Sequence, residues 1–217
     1  MRIAVLNEIS TADRNADVMA ALEGRGFEVV NVGMHRAADS PELTVIHTSF
    51  LSALLLAARR AELIVAGCGT GHGYEIAVSQ YPGVVCGRVL NPLDAWLFAQ
   101  INGGNAVSLA LNLGYGWAAD VNLRMIFDAL FSVEVGAGYP PARRPTQKES
   151  RALVTSISVV THRTMAEIVA ELPARVVAPA LDYPGVREAL AIATIEDDAL
   201  RAALEARYRA MQRVEVS

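Results

Sequence analysis

The chain has 217 residues, 53% hydrophobic and 19% charged, with a net charge of −4 and a pI near 5.6. Such a composition can bury a sizeable core and excludes disorder, while the acidic balance argues against nucleic acid or an anionic membrane surface as partner. Two cysteines make no disulfide framework, and no apolar run reaches the roughly 18 residues of a membrane span, so a cytoplasmic protein is expected.

Arg2 to Leu6 is a short apolar run that suits a central parallel strand and is too brief for a secretory signal. Asn7 and Glu8 follow at its carboxyl end, where ligands of doubly wound sheets sit, although a helix-capping turn would use the same residues. Ser10 to Asp13 offer caps, Val18, Met19, Ala21 and Leu22 recur at helical spacing, and Gly24 to Gly26 stop the helix. Phe27 to Val32 is a second strand, and Gly33 to Leu43, with His35, Asp39 and Pro41, is a loop. Val45 to Ala61 has a helical rhythm, its Ser49 to Ala58 stretch reading as a core helix, and Leu63 to Gly67 is the third strand.

Val84 to Gly87 is the fourth strand, Asn91 to Gln100 a helix capped by Asn91 with Pro92 at its first position, Ala106 to Leu111 the fifth strand, and Ala118 to Phe131 a helix. The alternation predicts an α/β fold, a doubly wound, Rossmann-like five-stranded parallel sheet, ending near Val135. Gly136 to Pro141 is a breaker-rich linker. The domain reading is therefore 1–146 for the sheet unit and 147–217 for a mainly helical C-terminal extension, serving oligomerisation or covering a site. Ala166 to Leu172 and Asp197 to Gln212 look helical, whereas Thr155 to Val160 fits a strand or the middle of a helix.

The chemistry concentrates after the third strand. Gly67, Gly69, Gly71 and Gly73 put four glycines in seven positions around Cys68 and lead into a helix. Amides converging at a helix start can hold a negatively charged oxygen, and a thiol beside them can serve as base or nucleophile. Alone, the loop reads equally as a tight turn carrying a buried, inert cysteine.

The run Cys68-Gly69-Thr70-Gly71-His72-Gly73-Tyr74-Glu75-Ile76-Ala77 resembles the CGTGxGxSIAANK stretch of the RpiB/LacA/LacB sugar isomerases, the family of ribose-5-phosphate isomerase B and galactose-6-phosphate isomerase. His47 lies 21 residues before Cys68, at the family's Tyr-Pro-His-Tyr-Ala stretch, and Gln100 to Asn105 sit at its Gln-His-Asn-Asp-Thr-Asn. Gly136-Ala137-Gly138-Tyr139 followed by Arg143 is similar to the end of the family domain. The resemblance implies a cofactor-independent aldose–ketose isomerase, and no metal is expected because the four histidines show no ligand spacing such as His-x-x-x-His. Cys68 would be the base that moves a proton between C1 and C2, and Thr70 would assist with the hydroxyl protons. The loop glycines Gly69, Gly71 and Gly73 would hold the enediolate oxygen, with Asn7, Glu8, His47, Asn102, Asn105 and Arg143 binding a sugar or sugar acid, although His47 serves equally as a cap of its own helix. His72 is a polar group new to the loop, and the glycines on either side of it turn it toward the cleft as a further substrate-binding candidate. The resemblance also implies a homodimer or homotetramer with shared active sites.

Departures from the pattern bear on substrate. The family's Cys-Asp-His after strand one is Asn7-Glu8-Ile9, its ring-opening histidine is Ile101, and Gln147 stands at its second phosphate-binding arginine. A dianionic phosphate needs several donors, so these losses favour an open-chain keto-uronate over a sugar phosphate. Glu75 is a candidate second acid–base group or an ordinary helix N-terminal carboxylate. Cys86 reads as a buried apolar side chain. A nucleotide- or phosphate-binding module without catalysis is the alternative, but neither G-x-G-x-x-G after the first strand nor a Walker lysine is present. A cysteine hydrolase would need an orienting partner for its histidine, and none is identifiable.

Overall fold

The structure, a computed structural model, describes residues 1–215. Five strands, β1 (Arg2–Leu6), β2 (Glu28–Asn31), β3 (Leu63–Cys68), β4 (Cys86–Val89) and β5 (Ala106–Ala110), form one parallel sheet in the order β2-β1-β3-β5-β4. Strand side chains alternate between two cores. Ile3, Val5, Val65 and Leu109 meet α1 (Asn15–Leu22), α4 (Pro92–Leu97) and α5 (Ala119–Phe131) on one face. Ala4, Leu6, Ala66 and Cys68 meet α2 (Val45–Ala57) and α3 (His72–Val78) on the other. The chain reverses direction between β1 and β3, so Asn7, Glu8 and Cys68 lie at the switch point, where doubly wound sheets bind ligands.

The C-terminal extension is helical: α6 (Arg144–Thr161) lies against the Phe98–Asn102 turn, and α7 (Met165–Glu171), α8 (Ala174–Asp182), α9 (Val186–Leu190) and α10 (Asp198–Glu215) build a second helical layer, with α7 and α8 packed on α2. Every residue of α2 from Thr48 to Leu55 is buried, which explains why this span carries no charge and only the small polar residues Thr48, Ser49 and Ser52. Burial rather than charge holds the layers together. Each of Leu51, Leu54 and Leu55 contributes about 1.5–3 kcal/mol, whereas the Arg59–Glu196 ion pair is 80% and 78% exposed and is worth at most about 1 kcal/mol. Directed bonds add register. Arg60 donates to the carbonyls of Leu190 and Ala191, and Arg207 to those of Val169, Ala170 and Leu172 at the end of α7.

Several boundaries differ from the sequence expectation for physical reasons. The fourth strand starts at Cys86 rather than Val84, because the Asn105 side chain takes the Val85 amide at 2.8 Å before the ladder begins. The first cap is Glu8, whose carboxylate accepts from the Ser10 amide at 3.1 Å, rather than a residue of Ser10–Asp13. The helix expected to Gln100 gives way at Phe98 to a wide turn closed by Gly103 at φ +58. Thr155 to Val160 lies inside α6. Among the described residues no helix is long and apolar enough to cross a membrane.

Candidate active site

Cys68 is the last residue of β3, a residue only 8% exposed, with its side chain on the α2/α3 face of the sheet. The next turn is fixed on all sides. The Gly71 amide donates to the Cys68 carbonyl, and the Ser108 hydroxyl donates to the Gly71 carbonyl at 2.5 Å. From the other flank, the amides of Asn112 and Leu113 donate to the Gly69 carbonyl at 3.0 Å, and Arg88 Nε donates to the Thr70 carbonyl at 2.7 Å. Gly71 adopts φ +78, a conformation that disfavours any side chain, so the turn needs glycine there.

This turn folds the start of α3 back over the thiol. A Cβ on Gly73 would lie 3.6 Å from Cys68 Sγ, which puts the first helical turn in contact with the sulfur. Thr70 Oγ1 stands 4.0 Å from the same sulfur and accepts weakly from the His72 amide at 3.4 Å. The first-turn amides of Gly73 and Tyr74 have no acceptor among the described residues. His72 is exposed at the mouth, and its ring has no partner among the described residues. Tyr74 is buried beneath the turn, donates to Ser52 Oγ at 2.6 Å and so ties α3 to α2; burial pushes its phenol well above the ordinary range. Ser10 and Asn112 flank Gly69, a pair that sequence reasoning missed because neither belongs to the glycine motif.

The other candidates are brought to the same end of the sheet but hold other partners, or lie elsewhere. Asn7 is buried and its amide donates to Asn15 at 2.9 Å, while Glu8 is committed to capping through Ser10. Glu75 accepts from the Arg88 backbone amide at 3.2 Å, satisfying the open edge of β4. His47 caps its own helix, its Nδ1 accepting from the Thr44 amide at 2.9 Å, and its Nε2 bonds the Arg175 carbonyl at 3.1 Å. Cys86 has its thiol pushed up to about 12 by burial and then by nearby Glu75, which leaves it protonated and inert.

Asn102, Asn105 and Arg143 lie at the opposite end of the sheet. Asn105 precedes Ala106, which pairs with Ile64, whereas Cys68 pairs with Ala110, so five residues at roughly 3.3 Å each put Asn105 about 16 Å from the level of Cys68. Asn105 clamps the approach to β4 through Gly83 and Val85. Asn102 and Gln147 line a groove of about 360 Å³ against α6. Gln147 is spent on the backbone of Tyr139, accepting from its amide at 2.9 Å and donating to its carbonyl at 2.7 Å. Arg143 is exposed, with its side chain unpaired among the described residues. No group of three or more His, Cys, Asp or Glu that could hold a metal ion occurs among the described residues.

The model of the ribose/galactose isomerase family matches residues 3–134. A 4-deoxy-L-threo-5-hexosulose-uronate ketol-isomerase, crystallised with a tartrate, is 33% identical with a TM-score of 0.89, over 96% of this chain and 100% of its own. A ribose-5-phosphate isomerase from Vibrio parahaemolyticus is 34% identical with a TM-score of 0.90, over 95% and 99% of the two chains. The type B ribose 5-phosphate isomerase of Trypanosoma brucei shares the fold at 18% identity and a TM-score of 0.61, over 72% of this chain and 97% of its own. No curated protein matches the sequence.

Proposed function

The chain belongs to the ribose/galactose isomerase family and is by class an aldose–ketose isomerase, and we propose that it interconverts the aldose and ketose forms of an open-chain acidic sugar of the keto-uronate type, using Cys68 as the proton carrier. In this reading the Cys68 thiolate removes the proton from the carbon beside the carbonyl. The electron pair moves into the carbonyl oxygen to give an enediolate, and the thiol returns the proton to the neighbouring carbon. Thr70, on the same turn, passes the hydroxyl proton between O1 and O2. The amides of the loop and first helical turn, including those of Gly73 and Tyr74, stabilise the enediolate oxygen. Each such donor is worth on the order of 3 kcal/mol of barrier, without which removing a proton next to a carbonyl would be slow. No cofactor enters this sequence of steps.

The observation that carries the uronate reading is Gln147, whose amide is spent on Tyr139 where the family resemblance places a phosphate-binding arginine. The match over 96% of the chain to a uronate ketol-isomerase supports it. A sugar phosphate is the second reading, favoured by the comparable match to the Vibrio enzyme. Measuring isomerisation of a 5-keto-4-deoxyuronate beside ribose 5-phosphate separates the two. Efficient turnover of the phosphopentose alone at low millimolar concentration would reject the uronate.

The same reading makes the enzyme a cytoplasmic homo-oligomer with shared sites. Arg143 and Asn102 can meet a thiol at the far end of the sheet only from a second copy. Residues 147–217 would serve that assembly. In α6, 18 residues long, no residue is buried, and Leu153, Val154, Ile157 and Val160 form an apolar stripe more than half exposed among the described residues.

A further inference from the structure

We propose that Arg88 is the residue that reads the acidic end of the substrate, taking a terminal carboxylate or phosphate on guanidinium nitrogens that the fold leaves free. The proposal rests on the isomerase reading above and adds to it a group that lies outside the family's glycine motif.

Arg88 stands on the edge strand β4 in one row with Ser108 of β5 and Ala66 of β3, on the sheet face that carries Cys68. Two strand spacings, about 10 Å, separate its backbone from β3. Its side chain crosses that gap toward the catalytic turn. Nε donates to the Thr70 carbonyl at 2.7 Å, and the stem lies against Gly71, where a Cβ would meet Arg88 Cγ at 3.1 Å. The guanidinium is therefore docked two residues from the thiol by a single directed bond.

That bond uses one of five donors. Among the described residues the two terminal nitrogens have neither a hydrogen-bond acceptor nor an ion pair. The nearby carboxylate that would be expected to neutralise it, Glu75, instead accepts from the Arg88 backbone amide at 3.2 Å. Glu75 thus fixes the strand while leaving the guanidinium charge unpaired, and two parallel N–H groups remain for a planar carboxylate or a phosphate. An extended sugar chain whose C1 and C2 lie at Cys68 would carry its far end toward β4.

The test compares wild type, Arg88→Gln and Arg88→Lys on a 5-keto-4-deoxyuronate and on ribose 5-phosphate, with thermal midpoints alongside. For whichever acid the wild type turns over, the glutamine variant should raise KM by about 10- to 100-fold, the range for losing a charge-assisted pair. Its kcat should stay within about threefold of wild type, and the lysine variant should fall between. An unchanged KM, or a fall in kcat at constant KM in both variants, would make Arg88 a strut of the turn and overturn the proposal. Wild-type inactivity on both acids is a different result, and it rejects the isomerase reading on which the proposal stands.

Discussion

His47 and Arg175, 128 positions apart, are joined because Pro179 has no N–H to offer the Arg175 carbonyl four residues before it, and His47 Nε2 donates to that carbonyl at 3.1 Å instead. With Nδ1 accepting from Thr44, both ring nitrogens are engaged in holding α2 to α8. His47→Ala should cost about 2 kcal/mol, the sum of a lost cap and a lost hydrogen bond. The variant should keep kcat within about threefold. Urea denaturation with steady-state kinetics checks this; a hundredfold loss of kcat at unchanged stability would return His47 to the substrate site that the family resemblance implies.

Cys68→Ala should lower kcat by about 10³-fold or more, the scale of removing a positioned general base. Its thermal midpoint should fall by no more than a few degrees, since the change removes one small sulfur from the edge of the apolar core. Cys86→Ala should leave turnover within about twofold, because the Cys86 thiol stays protonated through the working range. Equal loss in both variants would remove the distinction drawn between the two thiols.

Stability should fall on the alkaline side. Burial pushes Cys86 from 9.0 to about 12, and Tyr81, Tyr183 and Tyr208 from 10.0 to about 12. The folded chain keeps these protons where the unfolded chain releases them, so their contribution is intact below about pH 9 and declines as pH rises toward 12. Thermal midpoints at pH 8, 10 and 11 should decrease in that order, and Cys86→Ala should flatten the first part of the decline. A midpoint constant to pH 11 would contradict these shifts.

The α6 stripe offers a test of assembly. Ile157 is 58% and Val160 85% exposed within one chain. Ile157→Glu combined with Val160→Glu should shift sedimentation at micromolar concentration to the monomer and lower kcat at least tenfold, by withdrawing the partner's end of a shared site. A wild-type monomer with full activity would exclude that arrangement.

The sheet and its helices were legible because strand and helix periods are written in the apolar residues, and the catalytic turn because its glycines and cysteine keep a strict spacing. Side-chain direction was not legible. Glu8 and His47 act as caps, a use the local sequence also allows, whereas Glu75 and Asn105 take partners on β4 and its approach that no linear pattern reveals. Arg88 was missed for a related reason. With the fourth strand read as ending at Gly87, it fell into a loop, and only the true register at Cys86 aligns it with Ser108 and the Thr70 carbonyl. The β-branched run from Thr155 to Val160 is helical although its composition also suits a strand; it finds no neighbouring strand to pair with, and Ser158 instead accepts from the Gly83 amide at 3.2 Å.

The enclosure of α2 has a consequence for how a longer chain relates to a shorter one. In a sheet unit standing alone, the outer side of such a helix would face water and need polar residues. Here Thr48 to Leu55 has no side fit for solvent, so a chain cut after Thr161 would not be a reduced enzyme but an aggregation-prone fragment. Residues 162–215 are in that sense a prerequisite of the fold that carries the chemistry, and trimming the protein to its motif-bearing part would first require rewriting α2.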